Sequence, residues 1–403
     1  MDPRERRATF AAMLSLCQHG YEALLERELT EAGLSVAEKG PGWALTVDGG
    51  AGAQLARSAG SGPRASRGAA LSEGGPRSAP TAEAGGPRSA PTAEAGGSSG
   101  RLALPEQELA FPHLTLLAPR EIKGESVNAL AQQLADYFFE SLRGERVDAS
   151  WPCVSQMVPE VVGLGRRSSA VEKAFDELLK KKLSRVARLA VPELPRGTGP
   201  ARGLFVFFAD FGRMLVAREA VLGGQRRMAD DDAAPSRSYL KVEEAYIVLG
   251  REPQPDETVC DLGAAPGGWS YSAAKRGARV VAIDNGPLKG GALNHPLITH
   301  RLEDAFKFRP ADGEVFDWLF CDLVEEPHHV MQNIVAPWLA NGWCRHFVVN
   351  LKFGHVDSLG LLHELRAPGS PFAGNATNLR IRHLYHDREE FTVVGKTSFR
   401  PRA

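Results

Sequence analysis

The chain predicts a mixed α/β architecture whose C-terminal part is a doubly wound, Rossmann-like domain. Three observations carry that prediction. An apolar run ending in Asp261 leads into the turn Leu262-Gly263-Ala264-Ala265-Pro266-Gly267-Gly268-Trp269, and an amphipathic stretch follows. From Ser236 onward, short apolar runs alternate regularly with helical periods, which is the βαβ signature. Finally, Asp261, Asp284, Asp304, Asp322 and Lys352 all fall at the ends of those apolar runs. In open α/β sheets, ligands sit beyond the carboxyl ends of the strands.

The elements follow in order. Residues 9–16 read as a strand, 21–32 as a helix and 43–47 as a returning strand. Residues 50–100 stand apart, because Gly, Ala, Ser, Pro and Arg dominate and large apolar residues are almost missing. Within them Gly-Gly-Pro-Arg-Ser-Ala-Pro-Thr-Ala-Glu-Ala occurs in tandem, from Gly74 and again from Gly85. Such a segment buries too little apolar area to offset its conformational entropy, so a disordered insertion in a surface loop is expected. After it come a strand at 114–117 and a helix capped by Ser126, with Val127, Leu130, Ala131, Leu134, Tyr137 and Phe138 at helical spacing. A strand near 146–151, a basic helix over 169–189 and strands at 204–209 and 213–219 complete this half. The pattern suggests compact α+β modules rather than a continuous parallel sheet. An acidic linker from Met228 to Pro235 precedes a helix bearing Val242, Ala245, Tyr246 and Leu249. Strands are then expected at 258–262, 278–283, 315–321, 346–351 and 391–394.

Composition narrows the function. At 403 residues, with 43% hydrophobic and 24% charged content, the chain has room for two or three domains. No apolar run approaches the roughly 20 residues of a membrane span. The charged start, Met1-Asp2-Pro3-Arg4-Glu5-Arg6-Arg7, does not lead into a secretory core, so a cytoplasmic protein is expected. Cys17, Cys153, Cys260, Cys321 and Cys344 are scattered without a CxxC pair, and His328-His329 reads as an exposed loop pair. Neither a disulfide framework nor a metal site is indicated. Net charge is −1, yet residues 163–203 hold ten Lys/Arg (Arg166, Arg167, Lys173, Lys180, Lys181, Lys182, Arg185, Arg188, Arg196, Arg202) against four acids (Glu172, Asp176, Glu177, Glu193), a local +6. A concentrated basic face of this kind can hold phosphates whatever the total charge. A solvated helix face is the bland reading of the same residues.

The turn residues select the ligand. Gly263, Gly267 and Gly268 let backbone approach a ligand closely, and Pro266 sets the turn. Asp284 lies 23 residues beyond Asp261, the usual place for an acid bonding ribose hydroxyls. Asp304 ends the next unit, where it can meet an adenine amine. The spacing Gly263-x-x-x-Gly267-Gly268 contains no GxGxxG, the fingerprint of a dinucleotide site. Asp322 would repel a pyrophosphate but suits a cationic sulfonium, so S-adenosylmethionine (SAM) fits better than NAD. Amino-group methyl transfer would call for an Asn/Asp-Pro-Pro-aromatic motif at the fourth strand, where this chain has Asp322-Leu323-Val324-Glu325. Transfer to base carbon commonly uses a cysteine, and strand alternation turns Cys321 away from Asp322. A ribose hydroxyl needs a strong base, which a lysine flanked by another cation and by carboxylates can supply. Lys352 follows an apolar strand, Lys241 lies beside the stripe of the entering helix, and Glu389 opens the final strand.

These pieces resemble the FtsJ/RrmJ-type 2′-O-ribose methyltransferases, whose site is a Lys-Asp-Lys-Glu tetrad. The matching residues here are Lys241, Asp322, Lys352 and Glu389. The chain is more closely similar to the RlmM family, the ribosomal RNA large subunit methyltransferases M, which act on a cytidine ribose of 23S rRNA. Six segments carry this closer likeness: 234–241, 261–269, 281–287, 304–310, 341–345 and 384–389. The resemblance implies that Lys352 accepts the proton; Lys241 is then expected to orient the hydroxyl and depress the Lys352 pKa, and Glu389 to hold the lysines in place. It also implies SAM contacts from Ser238, Ala265, Pro266, Gly267, Gly268, Asp284, Asp304 and Asp322, with Asp261, Gly263 and Trp269 completing the cofactor turn. The expected layout is a ferredoxin-like domain over 1–118, a THUMP-like RNA-binding domain over 119–228 and the methyltransferase domain over 235–403. The implied partner is 23S rRNA, naked or at an early stage of assembly, with neither membrane nor metal involved. The insertion at 50–100 and the stretch after Lys352 depart from the family pattern. A tRNA methyltransferase, a non-catalytic RNA-binding assembly factor and an NAD-dependent oxidoreductase are the competing readings.

Overall fold

The structure, a computed structural model, describes residues 12–47 and 108–398. The expected insertion at 50–100 lies outside them. The first sheet contains β1 (Met13–Leu16), β2 (Ser35–Gly40), β3 (Trp43–Val47), β4 (Leu114–Leu117), β5 (Arg120–Lys123), β6 (Trp151–Met157), β7 (Ala190–Val191), β8 (Gly199–Phe208) and β9 (Arg213–Leu222). Its order is β2-β3-β1-β4-β9-β8-β6-β7, with β5 also on β9. The antiparallel pair β4–β9, in register Leu114↔Leu222 to Leu117↔Glu219, joins the two expected N-terminal modules into one sheet. A boundary near residue 118 therefore runs through continuous hydrogen bonding.

Its helices pack as their periodicity requires. Ser126 caps Val127–Ser141 by accepting from the Ala129 N–H at 3.1 Å, and Leu130, Leu134 and Phe138 are buried against the sheet. The basic stretch forms two helices, Leu164–Lys182 and Ser184–Leu189, rather than one. The break is Leu183, whose ψ of 61° leaves the helical region.

The second sheet contains β10 (Thr258–Leu262), β11 (Arg279–Ile283), β12 (Ile298–Arg301), β13 (Phe316–Cys321), β14 (Cys344–Lys352), β15 (Ala376–Arg382) and β16 (Glu390–Thr397). Its order is β12-β11-β10-β13-β14-β16-β15. The first five of these run parallel, and β16 is antiparallel to both neighbours. After β10 the chain fills one side of the sheet, then crosses to β13 on the other. That reversal opens a crevice beyond the carboxyl ends of β10 and β13. β12 and β15, both at sheet edges, escape the sequence reading because their half-buried residues lack a clear apolar run.

The two halves share a core. Met13, Leu25, Leu29 and Phe111 belong to one buried cluster with Phe353, Leu361, Leu365 and Phe391. Polar contacts reinforce it: Glu28, 3% exposed, accepts from the Ala110 and Phe111 N–H groups and pairs with Arg366 at 3.1 Å. Among the described residues, no helix is long and apolar enough to cross a membrane.

Candidate active site

Strand register builds the site. In the β14–β16 ladder Lys352 faces Glu390 and Asn350 faces Thr392. Side chains two apart on a strand share a face, so all four polar groups emerge on one side. Val349, Leu351, Phe391 and Val393 turn to the other side and are buried in the shared core. Lys352 Nζ donates to Glu390 Oε2 at 2.8 Å and to Asp322 Oδ1, just past the end of β13, at 2.9 Å. Lys241, on the helix Tyr239–Leu249, donates to Glu390 Oε1. Two lysines and two acids thus converge, as the sequence leads one to expect, but the second acid is Glu390.

Glu389 is the correction. It precedes β16, is exposed, and lies beside Gly354, while its neighbour points inward with 3% exposure. Consecutive residues at a strand start face opposite ways, so only one of the two glutamates can meet the lysines. A cue was present in the sequence: Glu390 and Thr392 repeat the two-residue polar spacing of Asn350 and Lys352.

The electrostatics also differ from expectation. Burial works against the charge on Lys352, but Asp322 and Glu390 together outweigh it and hold the ammonium above its ordinary 10.5. Lys241 is not among the groups that set this direction. Burial alone would raise the Glu390 carboxyl, and the two lysines reverse this and hold it well below the usual range. Cys321 is fully buried, and burial pushes its thiol up to about 12. A thiol in that state is no nucleophile.

The glycine turn sits at the β10 end of the same crevice. Gly263 has φ +79°, and a Cβ there would lie 2.7 Å from Leu323 Cδ2. Asp284 shapes the turn by accepting from the Ala265 N–H at 2.9 Å and the Gly286 N–H at 2.6 Å. Asp304, at the end of the following unit, is 40% exposed, accepts from the Phe306 N–H at 2.9 Å and meets Lys307 at 3.2 Å. Ser238 is half-buried, with its hydroxyl 2.7 Å from that of Ser236, and it packs beside Gly268.

Two expected ligand contacts prove to be internal. Asp261 is 1% exposed and accepts from the Ser270 hydroxyl at 2.6 Å. Burial, with Asp322 and Asp284 nearby, pushes its carboxyl up to about 7. Trp269 is buried, donates from Nε1 to the Ser238 carbonyl at 2.9 Å and packs edge-on against Phe320. Both residues hold the turn in place.

A cleft of about 810 Å³ opens over Lys241, Lys352 and Glu390. Gln18 of the N-terminal half lines it together with Ser238, Val324, His355 and Tyr385. Glu244, fully buried one turn beyond Lys241, accepts from the N–H groups of Arg226, Tyr385 and His386, tying the linker and one cleft wall to the same helix.

Comparison with known proteins identifies relatives of the chain. Residues 234–341 match the FtsJ-like methyltransferase family model. The chain is 39% identical over 246 residues to ribosomal RNA large subunit methyltransferase M of Laribacter hongkongensis, covering 57% of this chain and 66% of that protein, just under two thirds. It is 33% identical over 313 residues to the protein of that name from Chromohalobacter salexigens, covering 72% and 81% respectively. With that of Methylococcus capsulatus it shares 35% over 304 residues, 65% of this chain and 83% of the relative.

The chain belongs to the ribosomal RNA large subunit methyltransferase M family.

Membership in the methyltransferase M family makes S-adenosylmethionine the cofactor, and the crevice fits it. The turn needs glycine at Gly263 and Gly267, where a Cβ would strike Leu323 or Ala292. The donor set around it is acidic, with Asp284, Asp304 and Asp322 at successive strand ends. Such a set suits ribose hydroxyls, an amine and a sulfonium, and it does not suit phosphates.

Proposed function

We propose that this methyltransferase M relative methylates the ribose 2′ oxygen of a cytidine in 23S rRNA, in the cytoplasm, on naked or early-assembly RNA. The observation that carries the reading is Lys352 held between Asp322 and Glu390, with Lys241 on the far oxygen of Glu390. When bound, S-adenosylmethionine supplies an electrophilic methyl group on a cationic sulfur. Asp284 and Asp304 would hold its ribose and adenine, the Gly263–Gly268 turn would let it approach the backbone, and Asp322 would face its charged end.

At rest Lys352 carries its proton, because two carboxylates hold it. If Asp322 is engaged elsewhere, Lys352 is left with Glu390 alone, which it already shares with Lys241. Its pKa then falls toward the range an acceptor needs, since losing a carboxylate neighbour weakens the hold on the charged form. Having released its own proton to the solvent of the cleft, the neutral Lys352 Nζ would take the 2′ hydroxyl proton as the oxygen attacks. Lys241 and Glu390 keep Nζ in line, so much of the rate comes from positioning. The sheet and the basic helices of the N-terminal half present the RNA. Several of their cations already have partners, among them Lys180 with Asp176 at 2.6 Å and Arg185 with Asp148 at 2.7 Å. Arg166, Lys173, Lys181 and Arg188 are exposed and remain to meet phosphates.

The test is methylation of purified large-subunit rRNA by the protein and S-adenosylmethionine, followed by alkaline cleavage. A 2′-O-methyl leaves one bond uncut, at a cytidine. A methyl found on a base, or on tRNA only, rejects the reading.

A further inference from the structure

Beneath the four charged groups lies a chain of neutral ones. Asn350 Nδ2 is 3.2 Å from Asp322 Oδ1, and Thr392 Oγ1 is 2.7 Å from Asn350 Oδ1. Thr392 Oγ1 is also 2.9 Å from Asp387 Oδ2 and 3.2 Å from Asp387 Oδ1. Asn350, Asp387 and Thr392 are each 1% exposed.

Counting hydrogens orients every link. The Asp322 carboxylate, facing Lys352, only accepts, so the nitrogen of the Asn350 amide must face it. The amide oxygen then faces Thr392 and also only accepts, so the threonine hydroxyl spends its single hydrogen there. Toward Asp387, Thr392 can therefore only accept. Two oxygens this close with no hydrogen between them would repel, so the carboxyl of Asp387 must supply one. Its Oδ2 also accepts from the Leu384 N–H at 2.8 Å, and Thr392 Oγ1 lies within reach of both carboxyl oxygens.

We propose that Asp387 is a neutral carboxylic acid heading a one-way relay, Asp387 to Thr392 to Asn350 to Asp322, whose members are positioning residues for Lys352. The proposal rests on the methyl-transfer reading of this site. Its setting agrees: burial pushes the Asp387 carboxyl well above the ordinary range, the anionic Glu390 adds to this, and Lys241 opposes it. The third facing group is Glu244, from the helix that carries Lys241. A neutral acid there adds no third carboxylate to Asp322 and Glu390, which hold the lysines, while the relay fixes the lone pair that Asp322 turns to Lys352 at rest.

Two measurements decide it. Infrared difference spectra of the whole protein, wild type minus Asp387→Asn, should show the carbonyl stretch of an un-ionised acid that persists at pH 8. This readout is independent of activity. In rRNA methylation, Thr392→Val should lower kcat on the order of 10- to 100-fold, with cofactor affinity within about threefold. Thr392→Ser should restore most of the rate, and Asp387→Asn, whose amide also donates, should stay within about threefold of wild type. Thermal melting identifies any variant that fails to fold. A missing acid band, or full turnover by Thr392→Val, overturns the relay. Wild-type protein that shows the band but methylates no ribose overturns the functional reading instead and leaves the proton assignment standing.

Discussion

Glu390 serves two ammonium groups with its two oxygens, and its neighbour in sequence serves neither. With the carboxylate 4% exposed and its lysines 13% and 25% exposed, removing its charge leaves two half-buried cations short of a partner. Glu390→Gln should therefore cost about 3 kcal/mol of stability and on the order of 10²-fold in kcat. Glu389→Gln should stay within about 0.5 kcal/mol of wild type. Equal losses in the two variants, read by melting and turnover, would contradict the register. The pH dependence has a definite sign. A carboxyl whose folded pKa is depressed contributes its full stability above its ordinary 4.5 and loses it as pH falls through the folded value. The melting difference between wild type and Glu390→Gln should be constant near neutrality and shrink below about pH 4.5. Asp261 carries the opposite sign. Burial raises it from 3.8 to about 7, so its contribution is complete below 3.8 and lost as pH rises through about 7. Wild type should lose stability relative to Asp261→Asn across that interval, and a difference that stays flat would mean the carboxyl is not buried neutral.

At the scale of elements, the glycine turn and the β14–β16 ladder place everything else. Gly263→Ala forces a side chain into a left-handed backbone and against Leu323, at a cost of about 1–2 kcal/mol. Calorimetry should also show weaker cofactor binding, and unchanged affinity would separate this turn from the cofactor. These two elements mark how much the sequence reveals. β10, with its turn, could be read residue for residue, because an apolar run, an acid and three glycines all give the same answer. Lys352 and Asp322 were legible for the same reason, as polar residues ending apolar runs. Glu390 was not, because choosing between adjacent glutamates requires the cross-strand register, and a one-residue slip flips the face. Asp261 and Trp269 misled in another way. A motif residue that shapes a turn looks, in one dimension, the same as one that touches the ligand. The resting charge of Lys352 was hidden too, since it depends on which carboxylates lie within bonding reach.

At the scale of the molecule, the N-terminal sheet and the methyltransferase domain bury one another. The shared cluster around Phe111, Phe353 and Phe391, with the Glu28–Arg366 pair across it, makes their unfolding interdependent. Scanning calorimetry should show one cooperative transition for the whole chain, and two separated transitions would argue for independent units. That interface also brings Gln18 to the rim of the cleft above Lys352.

The most direct measurement of the central claim is single-turnover methyl transfer to large-subunit rRNA by Lys352→Ala, with cofactor binding followed by calorimetry on the same preparation. Transfer should fall by about 10²–10⁴-fold while S-adenosylmethionine binds within about threefold of wild type. Transfer at the wild-type rate, or loss of cofactor binding in step with activity, would contradict it.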